Sequence, residues 1–588
     1  MGRACASRPA NKGVQSVVMP PMAVPDKSHR SGLRRAIRSL GAMGAALCMA
    51  AVQAGENIPD FTHTRPKGEP KPYPRVPYER PIVPKIRFGN FIPHNPIDNF
   101  ILARLQKEKI RPARLCDDWD FARRSSIDLV GVIPTASDLE SYFRWKAKER
   151  RAKWVDHLLR QPQYADHWTV FWGDLLREQG RVPGAPPDAL KGFLHASLRE
   201  NLPFDEWVRK LIAASGSADE NGAVAFFLRD RGDADALTVS VSQSLLGIQL
   251  KCAQCHDHPY DWWTQREFQD MSAFWRGTRA RPVGTLPAMR PGAPDRPLLG
   301  VRTNERRGGG RFITGAVSEK GAGREALADL ITRGDNPYFA RVAVNRLWEK
   351  LMGTGLVNPP DHFSTLNPPS HPELLDWLAL EFIESGYDLK HMLRLLANSR
   401  TYQQQTAGTV RRLDGSRHLA GIDSLTAPGA LFEKMPLRRM NAEQIHDSIL
   451  AATGHYWKRE GPLRPAITRS YPPPPRDFLA VFGASDRDTL LPRSASSSIQ
   501  QSLTLLNGEL VNRAVVLHAD HPLIAWERER GLTPPQMIDA LFVQFLTRLP
   551  TPQERRWALN YIGWGTNEWA WEDLQWALVN TREFQFVR

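Results

Sequence analysis

Cys252-Ala253-Gln254-Cys255-His256 places two thiols three positions apart, with an imidazole directly after the second. This is the pattern that attaches c-type haem. Two thiols at this spacing can each form a thioether to one vinyl group of a single porphyrin. The adjoining imidazole then lies under the iron as proximal ligand. Asp257-His258-Pro259 adds a second imidazole and a rigid turn. His258 would need a sharp reversal to reach the opposite face, so Met271 on the next helix and Met289 beyond it are the other candidate distal ligands. Tyr260, Trp262, Trp263, Phe268, Phe274 and Trp275 could line a porphyrin. The same rings would also suit an ordinary helix–helix core.

Two other readings fit the same residues. Cys252, Cys255, His256 and His258 are a zinc-compatible set of two thiolates and two imidazoles. Their crowding into one short stretch makes tetrahedral geometry awkward. Alternatively, the cysteines pair or stay as thiols while His256 and His258 hold a turn by hydrogen bonds. The run Asp257-His258-Pro259-Tyr260-Asp261 has the proline and aspartates such a turn uses.

Other chemistry is thinner. Ser370-His371-Pro372-Glu373 brings a hydroxyl, an imidazole and an acid together in sequence, whereas catalytic triads are assembled in space. The pattern predicts a helix N-cap at Ser370 with Glu373 in the capping-box position. Asp361, His362, Asp388 and His391 are candidates for one polar cleft. Asn345 and Arg346, beside Trp348, read as a buried pair that organises the fold. Gly308-Gly309-Gly310 follows no recognisable strand and lacks the phosphate-loop lysine.

The elements that must position these groups are helical. At 588 residues the chain exceeds one hydrophobic core, so two or more domains are expected. Residues 1–54 read as an export signal. Arg34, Arg35 and Arg38 precede an apolar run from Leu40 to Val52, with cleavage expected after Ala54. That run is too short to span a bilayer comfortably, although a retained anchor is the competing reading. The formal net charge is +15, but residues 1–54 hold eight of the basic side chains against Asp26 alone. About half of the excess therefore leaves with the signal. The remaining mild basicity, without aromatic interleaving, is no nucleic-acid footprint; it suits an acidic redox partner or an anionic polymer. With Cys5 and Cys48 in the leader, Cys116, Cys252 and Cys255 make no disulfide framework. Export is also the setting in which thioether attachment to haem takes place.

Residues 55–95 read as a proline-rich linker. Helical periodicity begins at Pro96-Ile97-Asp98. Further helices are predicted over 118–130, 136–145, 148–160, 164–178, 187–200, 204–213, 235–250 and 264–275. Residues 235–250 deliver the chain to Cys252. Residues 277–322, rich in Gly, Pro and Arg, read as a boundary or mobile connector, with room for a short hairpin. A second helical block from 323 to 588 follows, with helices near 323–333, 336–352, 371–384, 388–398 and from 441. Helices at 498–514, 535–547, 551–563 and 568–580 close the chain. The class is mainly α: two helical domains joined by a connector, with little β.

These residues also resemble a known pair of families. Asn95-Pro96-Ile97-Asp98, Ser126-Ile127-Asp128-Leu129, Leu246-Gly247-Ile248-Gln249-Leu250 and Cys252 to Pro259 resemble the planctomycete cytochrome-c-like domain of the second type. Asp335 to Ala340, Asn345-Arg346-Leu347-Trp348, Asn367 to Leu375, Asn398-Ser399-Arg400-Thr401-Tyr402 and Leu505-Leu506-Asn507-Gly508 resemble the planctomycete-specific domain of unknown function that usually follows it. The first resemblance implies haem attachment at Cys252, Cys255 and His256 in an exported protein. The second family often carries cysteines near positions 489–494; Thr489 to Ser494 holds none. The expectation is an exported, haem-bearing protein that passes electrons to a redox or cell-surface partner. The competing expectation is an extracytoplasmic binding or scaffolding protein, polysaccharide-related, without haem or with zinc at the Cys/His cluster.

Overall fold

The buried Asp118–Val130 helix is the centre of the architecture. Asp117 caps it by accepting from the Asp120 N–H, and Gly131 ends it in the left-handed region at φ 78°. Its polar residues face inward. Arg123, Arg124, Ser125 and Asp128 are all 0 % exposed. Such burial demands partners, and they come from far along the chain. Arg123 donates to the Phe545 and Phe584 carbonyls at 3.0 and 2.8 Å. Arg124 donates to the carbonyls of Tyr402 and Gln404 at 2.5 and 2.8 Å. Asp128 accepts from the Tyr402 hydroxyl at 2.8 Å and from the Arg438 guanidinium at 2.7 Å.

The computed structural model describes residue 74 and residues 79–588, apart from 291–292, 304–309, 319–322, 407–409, 412–416, 419–430, 459, 489–492, 494–496, 520 and 564–567. The export signal, most of the proline-rich linker, Arg306 to Gly309 and Thr489 to Pro492 lie outside the described residues. The described chain is mainly α-helical. The residues on either side of the connector belong to one compact unit. Asp98, in the first turn of the Pro96–Lys107 helix, accepts from the backbone N–H of Arg400 and Thr401, both at 2.9 Å. The described end of the proline-rich segment is also docked, since Arg80 pairs with Glu381 at 2.7 Å and Glu384 at 2.6 Å.

The connector has the short hairpin the sequence left room for, and several other segments differ from the sequence reading. The connector contains an antiparallel hairpin, Thr278–Leu286 against Arg296–Thr303, which Gly216–Ser217 extends on its other edge. The residues between Thr278 and Leu286 are all exposed, and a bulge falls between Pro282 and Gly284, so no alternation marks the first strand. The predicted 235–250 helix stops at Leu246, because Gly247 turns left-handed at φ 65°. A Cβ there would stand 2.7 Å from the Phe363 ring and 2.9 Å from Val342. The 498–514 segment is two helices, Ile499–Asn507 and Glu509–Ala514, separated by the extended Gly508. A helix over Pro522–Arg530 had no counterpart in the periodicity. The cap of the Pro372–Glu384 helix is His371, not Ser370, because Pro372 takes the first helical position.

The Asp128 network gives a direct test. Asp128→Ala leaves the Arg438 guanidinium and Tyr402 hydroxyl buried without their acceptor. The substitution should cost about 3–5 kcal/mol, read as a lower denaturant midpoint. An unchanged midpoint would show that the network does not hold the two halves together.

Candidate functional site

The chain leaves the Ala234–Leu246 helix through Gly247 and enters a single 3-10 turn, Lys251–Gln254. Cys252 and Cys255 sit on this turn, exposed, with free thiols. His256 follows, also exposed. Its Nδ1 lies 2.7 Å from the Asp257 carbonyl oxygen and so donates to it. That contact leaves Nε2 as the nitrogen with a lone pair. Two thiols and one imidazole are therefore presented to solvent on and just after one short turn.

The turn is strapped at both ends. Gln254 Nε2 donates to Asp235 at 3.2 Å, and Ser272 Oγ donates to the same carboxylate at 2.7 Å. Gln265 Nε2 donates to the Cys255 carbonyl at 3.0 Å, and Asp257 accepts from the Gln265 N–H at 2.9 Å. Thr264 opens the Gln265–Ser272 helix with a complete capping box to Glu267.

His258 has a different part from His256. It is 8 % exposed, its N–H donates to the Trp263 carbonyl at 2.7 Å, and its Nδ1 accepts from the Tyr260 N–H at 3.1 Å. Burial pulls its pKa below the ordinary histidine value, against the opposing pull of Asp261. His258 is thus a neutral turn-former. Asp261 accepts from Ser364 Oγ at 2.9 Å and from the Trp262 N–H at 2.7 Å, with His362 at 3.7 Å. Burial pushes this carboxyl up, but His362, the Trp262 backbone and Ser364 together outweigh it and hold it below the usual carboxylate range. Trp262 Nε1 donates to Thr365 Oγ1 at 3.1 Å, and the Phe363 N–H donates to the Gly247 carbonyl at 2.8 Å. The segment 361–365 therefore clamps the motif loop from the other half of the chain. Sequence reasoning missed this clamp, although its residues directly precede the Asn367-Pro368-Pro369 string.

The remaining sequence candidates scatter. Met271 is 1 % exposed within the core, whereas Met289 is 45 % exposed at the hairpin end. Tyr260 is 47 % exposed, and Phe268, Phe274 and Trp275 are buried. A cavity of about 520 Å³ lies beside Trp262 and Trp263, reaching Phe312, Tyr338 and Ser364. Cys252, Cys255 and His256 are not in its wall. Asp388 caps the Leu389–Ala397 helix, and His391 pairs with Glu381 at 2.7 Å. Asp361 accepts from Gln243 and lines another cavity with Arg346. These four therefore do not form one cleft. Ser370 Oγ contacts His371 Nδ1 at 3.0 Å, while Glu373 is exposed, so no triad is assembled. Asn345 bonds both ways with the Val357 backbone, at 2.9 and 3.0 Å.

The zinc expectation meets a geometric obstacle: among the described residues no three His, Cys, Asp or Glu side chains are grouped to hold a metal ion. The donors do suit covalent haem attachment, which needs accessible thiolates and one free imidazole nitrogen.

Residues 96–280 match the family model PSCyt2, a protein of unknown function (DUF1549). Residues 323–562 match the family model PSD1, a protein of unknown function (DUF1553). The two matches stand in the order the sequence resemblance implies. No curated protein and no solved structure matches the chain.

Thiol accessibility checks the geometry. In haem-free protein, iodoacetamide should modify Cys252 and Cys255 within minutes, followed by mass spectrometry. Cys116 is 3 % exposed, with burial pushing its thiol pKa up against Arg124 and Arg151. It should react only after unfolding. Equal labelling of all three cysteines in the native protein would contradict this arrangement.

Proposed function

We propose that the protein is an exported carrier of one covalent haem, which Cys252 and Cys255 would hold through thioethers and His256 through its imidazole, and that it exchanges electrons with a partner. The observation that carries this reading is the single exposed turn presenting both thiols together with His256 Nε2. The cofactor supplies one-electron redox chemistry when bound. The chain's own contribution is orientation. Asp257 sets the His256 tautomer through its carbonyl, and the ties to Asp235 and Gln265 hold the turn in place.

The exposure of the turn suits exchange with a partner at the surface. Export follows from the residues before Ala54 and provides the compartment in which the thioethers form. Among the described residues no helix is long and apolar enough to cross a membrane.

Expression in a cytochrome-maturing host should yield protein with a covalent haem mass and a pyridine-haemochrome spectrum. Cys252→Ser with Cys255→Ser should abolish the covalent mass. His256→Ala should keep the thioethers but change the visible spectrum of the iron. A colourless wild-type preparation without added mass, from a host that matures a control cytochrome, would overturn the proposal.

A further inference from the structure

A second cavity, of about 580 Å³, has none of the cysteine-turn residues in its wall. Its walls come from both matched segments. The first supplies Asp166, His167 and Phe171; the second supplies Arg346, Lys350 and Glu443, among others. Neither segment could enclose it alone.

Lys350 stands in the last turn of the Phe339–Met352 helix. Among the described residues its ammonium makes no hydrogen bond and no ion pair, and its Nζ lies 5.9 Å from the Phe171 ring centroid. The groups that face it are Arg493, Arg438, Asp128, Glu443 and His167. The acids among them are already engaged. Glu443 accepts from Arg493 at 3.0 Å and from the Tyr471 hydroxyl at 2.7 Å. Asp128 is taken by Arg438 and Tyr402. Asp174, also on the wall, pairs with Arg487 and Arg493. Asp166, Asp361, Asp447 and Glu349 also line the wall, so the cavity as a whole carries no positive surplus. The half-buried Lys350 ammonium itself, however, has no counter-ion among the described residues and is the point at which an arriving anion would be favoured.

Arg346, one turn earlier, is 5 % exposed and donates through Nη2 to the Gln243 carbonyl at 2.8 Å, while its Nε is buried without a partner. Next to Lys350, Glu349 is pushed toward its neutral form by burial, against the pull of Arg346 and Lys350. His167 is 9 % exposed and has a buried Nε2 with no partner. Its other nitrogen bonds back to the Asp128 backbone. Nε2 is thus an acceptor awaiting a donor such as a hydroxyl. Asp166 and Asp447 elsewhere on the wall can accept further hydroxyls, and they would repel a ligand of high negative charge.

We propose that this cavity binds a singly charged, hydroxyl-bearing carboxylate of the uronic-acid class, with its carboxylate on Lys350 and a hydroxyl donating to His167 Nε2. The volume suits one or two sugar rings. A phosphate-type cradle is not offered here. The Ala442–Ala452 helix does begin on the wall, but the Asn441/Gln444 capping box takes up the Asn441 and Gln444 N–H groups. This inference is independent of the cysteine turn and of any haem.

Burial, with Arg493 next, draws Lys350 down from the ordinary lysine value to about 8. The ammonium needed for the anion is complete well below that pH and is lost above it, so affinity should fall as pH rises through about 8. Calorimetric titration of the full mature chain with D-glucuronate, D-glucose and inorganic sulfate tests the assignment. Glucuronate should bind saturably, and the two controls at least tenfold more weakly. Lys350→Met should lose tenfold or more of the glucuronate affinity without loss of thermal stability, since the ammonium it removes has no partner. Lys350→Arg should keep binding and abolish the decline above pH 8. The proposal is overturned if glucuronate fails to bind. Equal affinity for glucose or sulfate, or an unchanged affinity in Lys350→Met, would also overturn it.

Discussion

Two buried carboxylates hold the halves of this protein together. Asp98 and Asp128 belong to the first matched segment, and Arg400, Thr401 and Tyr402 to the second. Asp98 receives the Arg400 and Thr401 N–H groups and the Thr401 hydroxyl, and Asp128 receives the Tyr402 hydroxyl. A buried carboxylate with several donors is costly to break, because the donors and the charge would both be stranded. Asn95-Pro96-Ile97-Asp98, Ser126-Ile127-Asp128-Leu129 and Asn398 to Tyr402 look like unrelated strings along the chain. In space they form one joint.

The cysteine turn depends on the same cooperation between halves. The 361–365 segment reaches Asp261, Trp262 and Gly247. Its first residue, Asp361, also lines the charged cavity, where Gln243 meets both Asp361 and Arg346. One stretch thus backs the redox candidate on one side and the ligand candidate on the other. Each site sits on rigid helix ends whose partners come from the other matched segment, a sound way to keep chemically active groups in place.

Much of the helical layout was legible because apolar periodicity is a local property. The helices over 118–130, 136–144 and 372–384 follow directly from their residues. What escaped was decided by contacts. Gly247 ends a helix that its apolar neighbours would continue, because Phe363 and Val342 leave no room for a Cβ. The hairpin over 278–303 carries mostly exposed side chains on its first strand, so alternation gave no signal. The sequence offers both His256 and His258 as candidate ligands, two positions apart. The turn sends one outward and packs the other beneath Trp263 and Tyr260.

By itself the sequence determined the mainly helical class, the spacing of two thiols and an imidazole, and the order of two family resemblances. These are properties of near neighbours along the chain. Tertiary structure decided that Asp98 and Asp128 are joints between distant segments, that Met271 faces the core, and that Lys350 and His167 share a cavity. Pairing between distant segments depends on which buried charges find partners, and no local pattern records that. Lys350 shows this most clearly: its sequence neighbourhood is an ordinary amphipathic helix, and only the packed protein leaves its ammonium facing a cavity without a counter-charge.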